Sequence, residues 1–295
     1  MQNHYPGSER KHAKLGFLLI LLKRLEDRER FIIWKIRHQT AVREKIKKLP
    51  SLLLVGHGSS ETDQAKKAIT DHAETLRAKG HFSDVMTYFL SDGAPLPQRP
   101  EGDFFIVPFF MSDGYFSGPR IRQLFGMRHN QMQDERGLVM LCPPVGMLPQ
   151  MSDLLLKVAR EVCEKHSIQE AQADIVIAAH GSSKSPASRQ ATLLHADALR
   201  HTDRFADVRE VFLEEEPFVS DWAQKRSEPS RLTIVLGLFA AEGPHSMEDV
   251  PKALKEGAVA RGVDESEWIY TGPVGLQADM VRLVETSIAQ YNEGR

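Results

Sequence analysis

The chain has 295 residues, of which 41% are hydrophobic, and its formal net charge is −2. This length and composition can supply the cores of two domains of ordinary size. The two cysteines, Cys142 and Cys163, form no CxxC pair, which excludes a disulfide framework and an iron–sulfur site and favours a reducing cytoplasm.

Residues 1–50 form a basic segment with 13 Lys or Arg against 5 Asp or Glu, a net charge of 13 − 5 = +8. Its longest apolar run, residues 17–22, is far shorter than the ~20 residues that span a bilayer. Lys23 and Arg24 stand where a secretory signal would need small residues. We predict a basic N-terminal extension that is helical or disordered. The alternative is an amphipathic helix lying on a membrane surface or on a partner.

From Ser51 onward, short aliphatic runs alternate with stretches of helical periodicity. Strands are predicted at residues 52–55, 85–89, 104–108 and 138–141, and again at 175–178, 208–213, 232–236 and 268–270. Helices are predicted at residues 62–78, 119–128 and 148–165, and again at 186–200, 246–262 and 276–291. Strands separated by such helices predict an α/β fold with a parallel sheet in each of two lobes. The lobes are predicted at residues 51–168 and 169–295, joined near residues 166–173.

The two halves contain the same phrases in the same order. VGHGSS at residues 55–60 returns as AAHGSS at 178–183, an offset of 180 − 57 = 123 between the two histidines. Further on, residues 104–116 match 233–245 at an offset of 129. About six residues inserted in the second copy, between positions 220 and 233, account for the change. We interpret the pattern as an internal duplication.

Three chemically capable side chains follow successive predicted strands of the second lobe. His180 follows the first strand, Glu214 the second, and His245 lies on the loop after the third. The carboxyl ends of parallel strands meet at one edge of the sheet, where open α/β folds bind ligands. Two imidazoles and a carboxylate suit divalent Co, Ni, Fe or Zn better than Mg or Ca, and an imidazole also accepts protons. We predict a metal-handling site at this edge.

The same offsets give a different result in the first lobe. Position 214 corresponds to Ser91 and position 245 to Phe116, so that only His57 keeps its residue type. Phe116 and the neighbouring Tyr115 fit either a wall against a flat ligand or ordinary packing. The remaining histidines of the lobes stand without obvious partners and are predicted at the surface: His72, His81, His129, His166, His195 and His201.

Three motifs of the second lobe resemble a known family. HGS at residues 180–182, FLE at 212–214 and GPHSMEDVP at 243–251 are similar to the class II tetrapyrrole chelatases, and most of all to the sirohydrochlorin cobaltochelatase and ferrochelatase family. The resemblance covers about residues 51–293. It implies a two-lobed chelatase-like fold with its active site in the cleft between the lobes.

The resemblance also implies an activity, that of a metal chelatase, a lyase. A divalent metal, Co²⁺ first with Fe²⁺ and Ni²⁺ as alternatives, would enter sirohydrochlorin or a related tetrapyrrole in cobalamin or sirohaem biosynthesis. Neither ATP nor an organic cofactor is expected, and no nucleic acid partner. In two-lobed relatives the second lobe handles the metal, which matches His180, Glu214 and His245. We assign the histidines as paired base and ligand, and Glu214 as ligand or proton acceptor.

The carboxylates of such a tetrapyrrole need hydrogen-bond donors. We predict that Gly181, Ser182 and Ser183 open a helix and present free N–H groups. The other substrate-binding candidates are Arg189 of the second lobe and His57 and Ser59 of the first, with Lys184, Ser60, Arg120 and Arg122 as further donors. For each serine or arginine, a helix cap or a solvated surface position is the alternative.

Two other functions are alternatives. A carrier of metal or tetrapyrrole would use the same cleft without catalysing insertion. A histidine phosphatase would have an arginine immediately before its histidine, whereas Gly56 and Ala179 stand there in this chain.

Overall fold

The computed structural model describes Lys35 and residues 49–58, 63–226, 231–262 and 268–292. The chain divides into two units, Met1–Leu49 and Pro50–Arg295, and both lobes lie in the second. The prediction for residues 1–50 falls almost wholly outside the described residues, and that for Ser59 wholly outside them. In the described part, no helix has both the length and the apolar character needed to cross a membrane.

The first lobe has a five-stranded sheet in the order β2-β1-β3-β5-β4. Its strands are β1 (Ser51–Gly56), β2 (Asp84–Phe89), β3 (Phe104–Pro108), β4 (Gln131–Asp134) and β5 (Gly137–Leu141). Its helices are α1 (Gln64–Lys79), α2 (Pro119–Leu124) and α3 (Gln150–Lys165). All neighbouring strands are parallel except β4, which pairs antiparallel with β5 at the edge.

The second lobe has a four-stranded parallel sheet in the order β7-β6-β8-β9. Its strands are β6 (Asp174–Ala179), β7 (Asp207–Phe212), β8 (Thr233–Gly237) and β9 (Trp268–Pro273). Its helices are α4 (Ala187–Arg200), α5 (Val219–Lys225), α6 (Val250–Arg261) and α7 (Met280–Asn292). The predicted fold class, two parallel-sheet α/β lobes with flanking helices, is confirmed. The order β7-β6-β8-β9 repeats β2-β1-β3-β5 of the first lobe.

Three local features differ from the sequence-based expectations. The edge strand β4 has the sequence QMQD, which shows no apolar alternation and was not predicted. The short helix α5 occupies part of the region in which six extra residues were expected. The helix after the second HGSS begins only at Ala187, because Gly181 takes a left-handed conformation with φ 75°. The prediction that Gly181 to Ser183 open a helix is therefore wrong.

The two lobes share one hydrophobic core. The central strands β1 and β6 are buried along almost their whole length, as expected for strands covered on both faces. A single cluster of buried side chains includes Leu52 and Phe105 of the first lobe and Ile177 and Leu236 of the second. Helix α3 follows the first sheet but packs on β8 and α4, while α7 follows the second sheet and packs on α1 and β3. Each lobe thus covers part of its partner's sheet.

Two histidines that were predicted at the surface are buried between the lobes. His72 on α1 is 6% exposed, and its Nε2 donates to the carbonyl of Gly275 in the second lobe at 2.8 Å. His195 on α4 is 0% exposed, and its Nε2 donates to the carbonyl of Gly146 in the first lobe at 2.7 Å. The surface prediction is wrong for these two. It is correct for the exposed His81, His129, His166 and His201.

These reciprocal bonds reach the loops at the strand ends. The N–H of Gly275 donates to the carbonyl of Phe239 just after β8, and the N–H of Gly146 donates to that of Phe110 just after β3. Each of the two glycines therefore links a histidine of the opposite lobe to the start of a loop in the lobe to which the glycine belongs. The His72 bond consequently supports the beginning of the loop that carries His245.

We expect the free energy of unfolding to fall as the pH drops below about 6.5. Burial lowers the pKa of His72 and His195 from their ordinary value, whereas the unfolded chain titrates near 6.5. The unfolded state therefore binds protons first on acidification. The stabilisation is complete above about pH 6.5 and is lost as the pH falls toward the lower folded pKa.

Denaturant unfolding between about pH 8 and pH 5 measures this dependence. The double variant His72→Gln/His195→Gln should lose less stability on acidification than the wild type, because its glutamines do not titrate. The variant His129→Gln, at an exposed position, should keep the wild-type dependence. An unchanged dependence in the double variant would contradict the assignment.

Candidate active site

The carboxyl edge of the second sheet brings the predicted side chains together. His180 directly follows β6, and Glu214 follows β7 by two residues. Beyond β8 the chain reaches His245, the first residue of the π-helical turn His245–Asp249. The backbone N–H of Glu214 donates to the carbonyl of His180 at 2.9 Å, which connects the ends of the first two strands.

The rings of His180 and His245 are in direct contact. Their centroids lie 4.3 Å apart, and their planes meet edge to face at 87°. The carboxylate Oε2 of Glu214 lies 3.7 Å from Nδ1 of His180, within ion-pair range but too far for a good hydrogen bond. All three side chains are partly exposed. The structure therefore places the predicted trio in one solvent-accessible group.

Hydrogen bonding defines which nitrogen of each ring is available. Nδ1 of His180 lies 3.0 Å from the carbonyl oxygen of Gly181, and Nδ1 of His245 lies 2.9 Å from Oδ2 of Asp249. Both partners are acceptors, so each Nδ1 is the donor and carries the proton. In the neutral rings Nε2 then has a lone pair. Nitrogens of this kind can bind a metal ion or accept protons.

The predicted ligand set stays a prediction. Among the described residues, no three His, Cys, Asp or Glu side chains are already arranged as a metal cluster. His180 and His245 contact each other, while Glu214 approaches His180 from the Nδ1 side.

The HGSS turn is held by side chains from outside it. The N–H of Gly181 donates to Oγ of Ser188 on α4 at 3.1 Å, and the N–H of Ser182 donates to Oε1 of Glu215 at 3.0 Å. These two N–H groups are therefore engaged by the protein itself, whereas Ser183 is exposed. Contact of Gly181, Ser182 or Ser183 with a substrate stays a prediction.

Arg189 supports the same turn. Its Nε donates to Oε2 of Glu215 at 2.9 Å, and its Nη2 donates to the carbonyl of Glu216. The guanidinium also lies over the ring of Phe212, 4.9 Å from the centroid. Arg189 thus helps to hold Glu215 and the HGSS turn in place. Its predicted contact with the substrate stays a prediction. Of the further donors, Arg120 bonds to Gln123 and Arg122 to Asn130.

Replacing Gly181 with alanine should destabilise the protein more than the same change at Gly80. Both glycines have positive φ, 75° and 68°, so that each alanine is strained by about 1–2 kcal/mol. A Cβ on Gly181 would lie 2.8 Å from Cβ of Phe212, whereas nothing lies within 4 Å of one on Gly80. Overpacking against Phe212 should lower the free energy of unfolding by a further ~1–3 kcal/mol at Gly181 but not at Gly80. Denaturant unfolding measures both variants, and equal losses would contradict the close approach at Gly181.

The first lobe repeats this geometry with different residues. His57 follows β1, and its Nδ1 lies 3.1 Å from the carbonyl oxygen of Gly58. The ring of Phe116 meets it edge to face at 87°, with centroids 5.0 Å apart. Ser91 donates its N–H to the carbonyl of His57 at 2.9 Å, as Glu214 does to His180. Phe116 therefore stands against His57 as His245 stands against His180, but it has no donor atom for a metal.

Two aromatic side chains near His57, those of Tyr115 and Phe116, are exposed. Tyr115 is 59% and Phe116 45% accessible to solvent, high values for large apolar residues. Of the two interpretations given above, ordinary packing therefore fits these side chains less well than a surface for a ligand.

Two carboxylates that support the site were not predicted in these contacts from the sequence. Glu215 directly follows Glu214, and its carboxylate binds both Ser182 and Arg189. Asp249 was used only as part of a motif, although it binds Nδ1 of His245. The second could have been found from its spacing, since residues four apart on a helix share a face.

Comparison with known proteins gives consistent matches. The CbiX family matches residues 51–162 and 174–291 of the chain. A probable sirohydrochlorin cobaltochelatase of Halobacterium salinarum is 26% identical over 264 residues, which cover 79% of this chain and 89% of that protein.

Solved structures share the fold. DR2241 from Deinococcus radiodurans, a multi-domain protein with structural similarity to chelatases, has a TM-score of 0.69 at 24% identity. The match covers 82% of this chain and 54% of DR2241, so the chain spans about half its length. CbiX, the terminal enzyme for siroheme biosynthesis in denitrifying bacteria, has a TM-score of 0.64 at 24% identity, and the match covers 81% of this chain and 98% of CbiX. SirB from Bacillus subtilis with Fe³⁺ has a TM-score of 0.60 at 16% identity, and the match covers 83% of this chain and 98% of SirB.

Proposed function

The chain belongs to the CbiX family, and we propose that it inserts a divalent metal ion into sirohydrochlorin or a related tetrapyrrole. The name of the Halobacterium salinarum relative supports sirohydrochlorin as substrate and Co²⁺ as the favoured ion, with Fe²⁺ and Ni²⁺ as alternatives. The metallated product would serve cobalamin or sirohaem biosynthesis. The reaction is that of a cytoplasmic lyase that uses neither ATP nor an organic cofactor.

The observation that carries the proposal is the contact between His180 and His245. Their rings meet at 4.3 Å with both Nδ1–H groups engaged by acceptors, which leaves Nε2 of each neutral ring with a lone pair. Metal insertion removes two pyrrole N–H protons while the ion exchanges water for ring nitrogens. One ring nitrogen can accept the two protons in turn, releasing each to solvent, while the other ring nitrogen holds the ion.

Glu214 extends the pair on the side away from those lone pairs. Its carboxylate lies 3.7 Å from Nδ1 of His180. The negative charge of this carboxylate can offset the positive charge that a metal ion or a transferred proton brings to the site. Glu214 would then support His180 as the proton acceptor, or draw the cation toward the site.

We place the tetrapyrrole in the cleft between the lobes. A Cβ built on Gly114, next to Tyr115, would lie 4.0 Å from Cβ of Ala187 at the start of α4. This short distance shows that the loop with Tyr115 and Phe116 lies beside α4, the helix that follows the His180 turn. Exposed rings of Tyr115 and Phe116 offer an apolar surface to a flat macrocycle.

The test mixes purified protein with sirohydrochlorin and Co²⁺, Fe²⁺ or Ni²⁺ in separate anaerobic reactions without ATP. The absorption bands of the ring report metal insertion. Many equivalents of metallated product per protein molecule, formed faster than in a protein-free control, are the expected result. A carrier would bind one equivalent and release it unchanged. Binding without turnover, for every metal, would therefore overturn the proposal in favour of a carrier.

A further inference from the structure

The backbone of the loop that holds His245 is hydrogen-bonded to a buried serine side chain. Ser246 is 1% exposed, and its Oγ accepts the N–H of Gly243 and donates to the carbonyl of Ala241, each at 3.1 Å. The π-helical turn starts directly before this residue and ends at Asp249. Its first and last side chains are joined by the 2.9 Å contact between Nδ1 of His245 and Oδ2 of Asp249.

The acceptors of the two site histidines differ in kind. His180 is held by the carbonyl of Gly181, and the first-lobe His57 by the carbonyl of Gly58, so their tautomers are defined by the backbone. The acceptor at Nδ1 of His245 is a side chain. A neutral histidine side chain in water carries its proton mainly on Nε2, the atom that insertion would need unprotonated. A carboxylate at Nδ1 reverses that preference.

The first lobe provides an internal comparison. At the offset of 129, Ser246 corresponds to Ser117, and both are buried with the same bonds to a preceding glycine. Position 245 then corresponds to Phe116 and position 249 to Arg120 (249 − 129 = 120). Where the histidine is absent, its carboxylate is absent as well, which couples Asp249 to the chemistry of His245 rather than to the fold of the turn.

We propose that Asp249 is a positioning residue that keeps the Nδ1–H tautomer of His245 and so leaves Nε2 free in the site. This inference rests on the proposed function for its catalytic consequence. Its structural part, the tautomer, stands independently of any activity.

The tautomer is measured by ¹⁵N NMR of the histidine rings at about pH 8, where a neutral imidazole prevails. In the wild type, the ¹⁵N shifts of His245 should show a protonated Nδ1 and an unprotonated Nε2. Asp249→Ala removes the acceptor and should move the proton to Nε2. Asp249→Asn retains an acceptor oxygen and should keep the wild-type pattern. An unchanged pattern in Asp249→Ala would overturn the proposal.

Metal insertion into sirohydrochlorin by the same variants tests the consequence. For Asp249→Ala we expect kcat to fall about 10- to 100-fold with little change in KM for the tetrapyrrole, the range seen when such supporting carboxylates are removed. Asp249→Asn should recover most of the loss. Equal losses in both variants would assign Asp249 a charge or metal-ligand role and overturn the positioning proposal.

The chain offers a matched control. Oε1 of Glu285 lies 2.9 Å from Nδ1 of His81, which repeats the histidine–carboxylate pair outside the site. Glu285→Ala should shift the tautomer of His81 and leave insertion unchanged. A wild-type protein without insertion activity would refute the proposed function, while the tautomer shift in Asp249→Ala would still decide the structural part.

Discussion

Alanine in place of His245 or His180 is expected to lower the rate of metal insertion by on the order of 10²-fold or more. The rings contact each other at 4.3 Å, and each neutral ring offers Nε2 as an acceptor. A positioned acid or base typically contributes 10²- to 10⁴-fold. Because both side chains are partly exposed, the free energy of unfolding should change little.

His57→Ala is the matched control for this prediction. His57 stands at the same position of the first sheet, with the same bond to a following glycine carbonyl, but its neighbour is Phe116. Its replacement should reduce insertion by much less. Initial rates of absorption change, with thermal unfolding of each variant, give the comparison. Small and equal effects at all three histidines would refute the assignment of the second lobe.

The double variant His180→Ala/His245→Ala tests whether the rings act in one step. Residues that work as a unit are strongly non-additive, so a second substitution then costs little more than the first. Independent contributions would instead multiply to on the order of 10⁴-fold. A loss close to that of either single variant is expected.

The sequence was most informative where periodicity and repetition applied. Buried strands β1 and β6 were found because aliphatic runs of this length have few other interpretations. The offset between the copies also predicted that Phe116 corresponds to His245, and the two rings do meet their histidines at the same angle of 87°. An internal repeat supplied, within one chain, the information that a second sequence would provide.

Contacts between the lobes could not be predicted in this way. His72 bonds to Gly275 across 203 residues of sequence, and His195 to Gly146 across 49. Each acceptor is a backbone carbonyl, which every residue type has, so the sequence does not indicate which residue accepts. The conformation of the HGSS turn was also missed: Gly181 is left-handed, so that the turn does not open the helix, which begins at Ala187, close to its predicted start at residue 186. Backbone geometry decided both features.

Glu214→Gln is expected to lower the insertion rate by on the order of 10²-fold while the free energy of unfolding stays near that of the wild type. The carboxylate lies 3.7 Å from Nδ1 of His180 and is more than half exposed, so that the fold depends little on it. Glutamine preserves the shape and removes the charge. The loss would therefore report that the negative charge of Glu214 assists proton transfer to His180 or attracts the metal cation.

Glu215→Gln should give the opposite result. Its carboxylate is 15% exposed and accepts bonds from the N–H of Ser182 and from Nε of Arg189. The amide nitrogen of glutamine would face one of these donors, which costs about 1–3 kcal/mol of stability. Insertion measured where the variant is folded should fall less than in Glu214→Gln. Denaturant unfolding and initial rates on the same preparations test both variants.

The opposite results of these neighbouring variants would separate two roles that adjacent carboxylates play in one loop. If Glu214 and Glu215 were only solvated surface side chains, neither variant would change the rate or the stability. A purely structural acidic loop predicts that both variants destabilise the turn and lose activity in proportion. Only a carboxylate that acts on His180 or on the cation predicts a rate loss at Glu214 with unchanged stability. If the Glu214 variant keeps the wild-type rate at saturating metal and tetrapyrrole, its assignment as ligand or proton acceptor is wrong, and the chemistry belongs to the histidine pair alone.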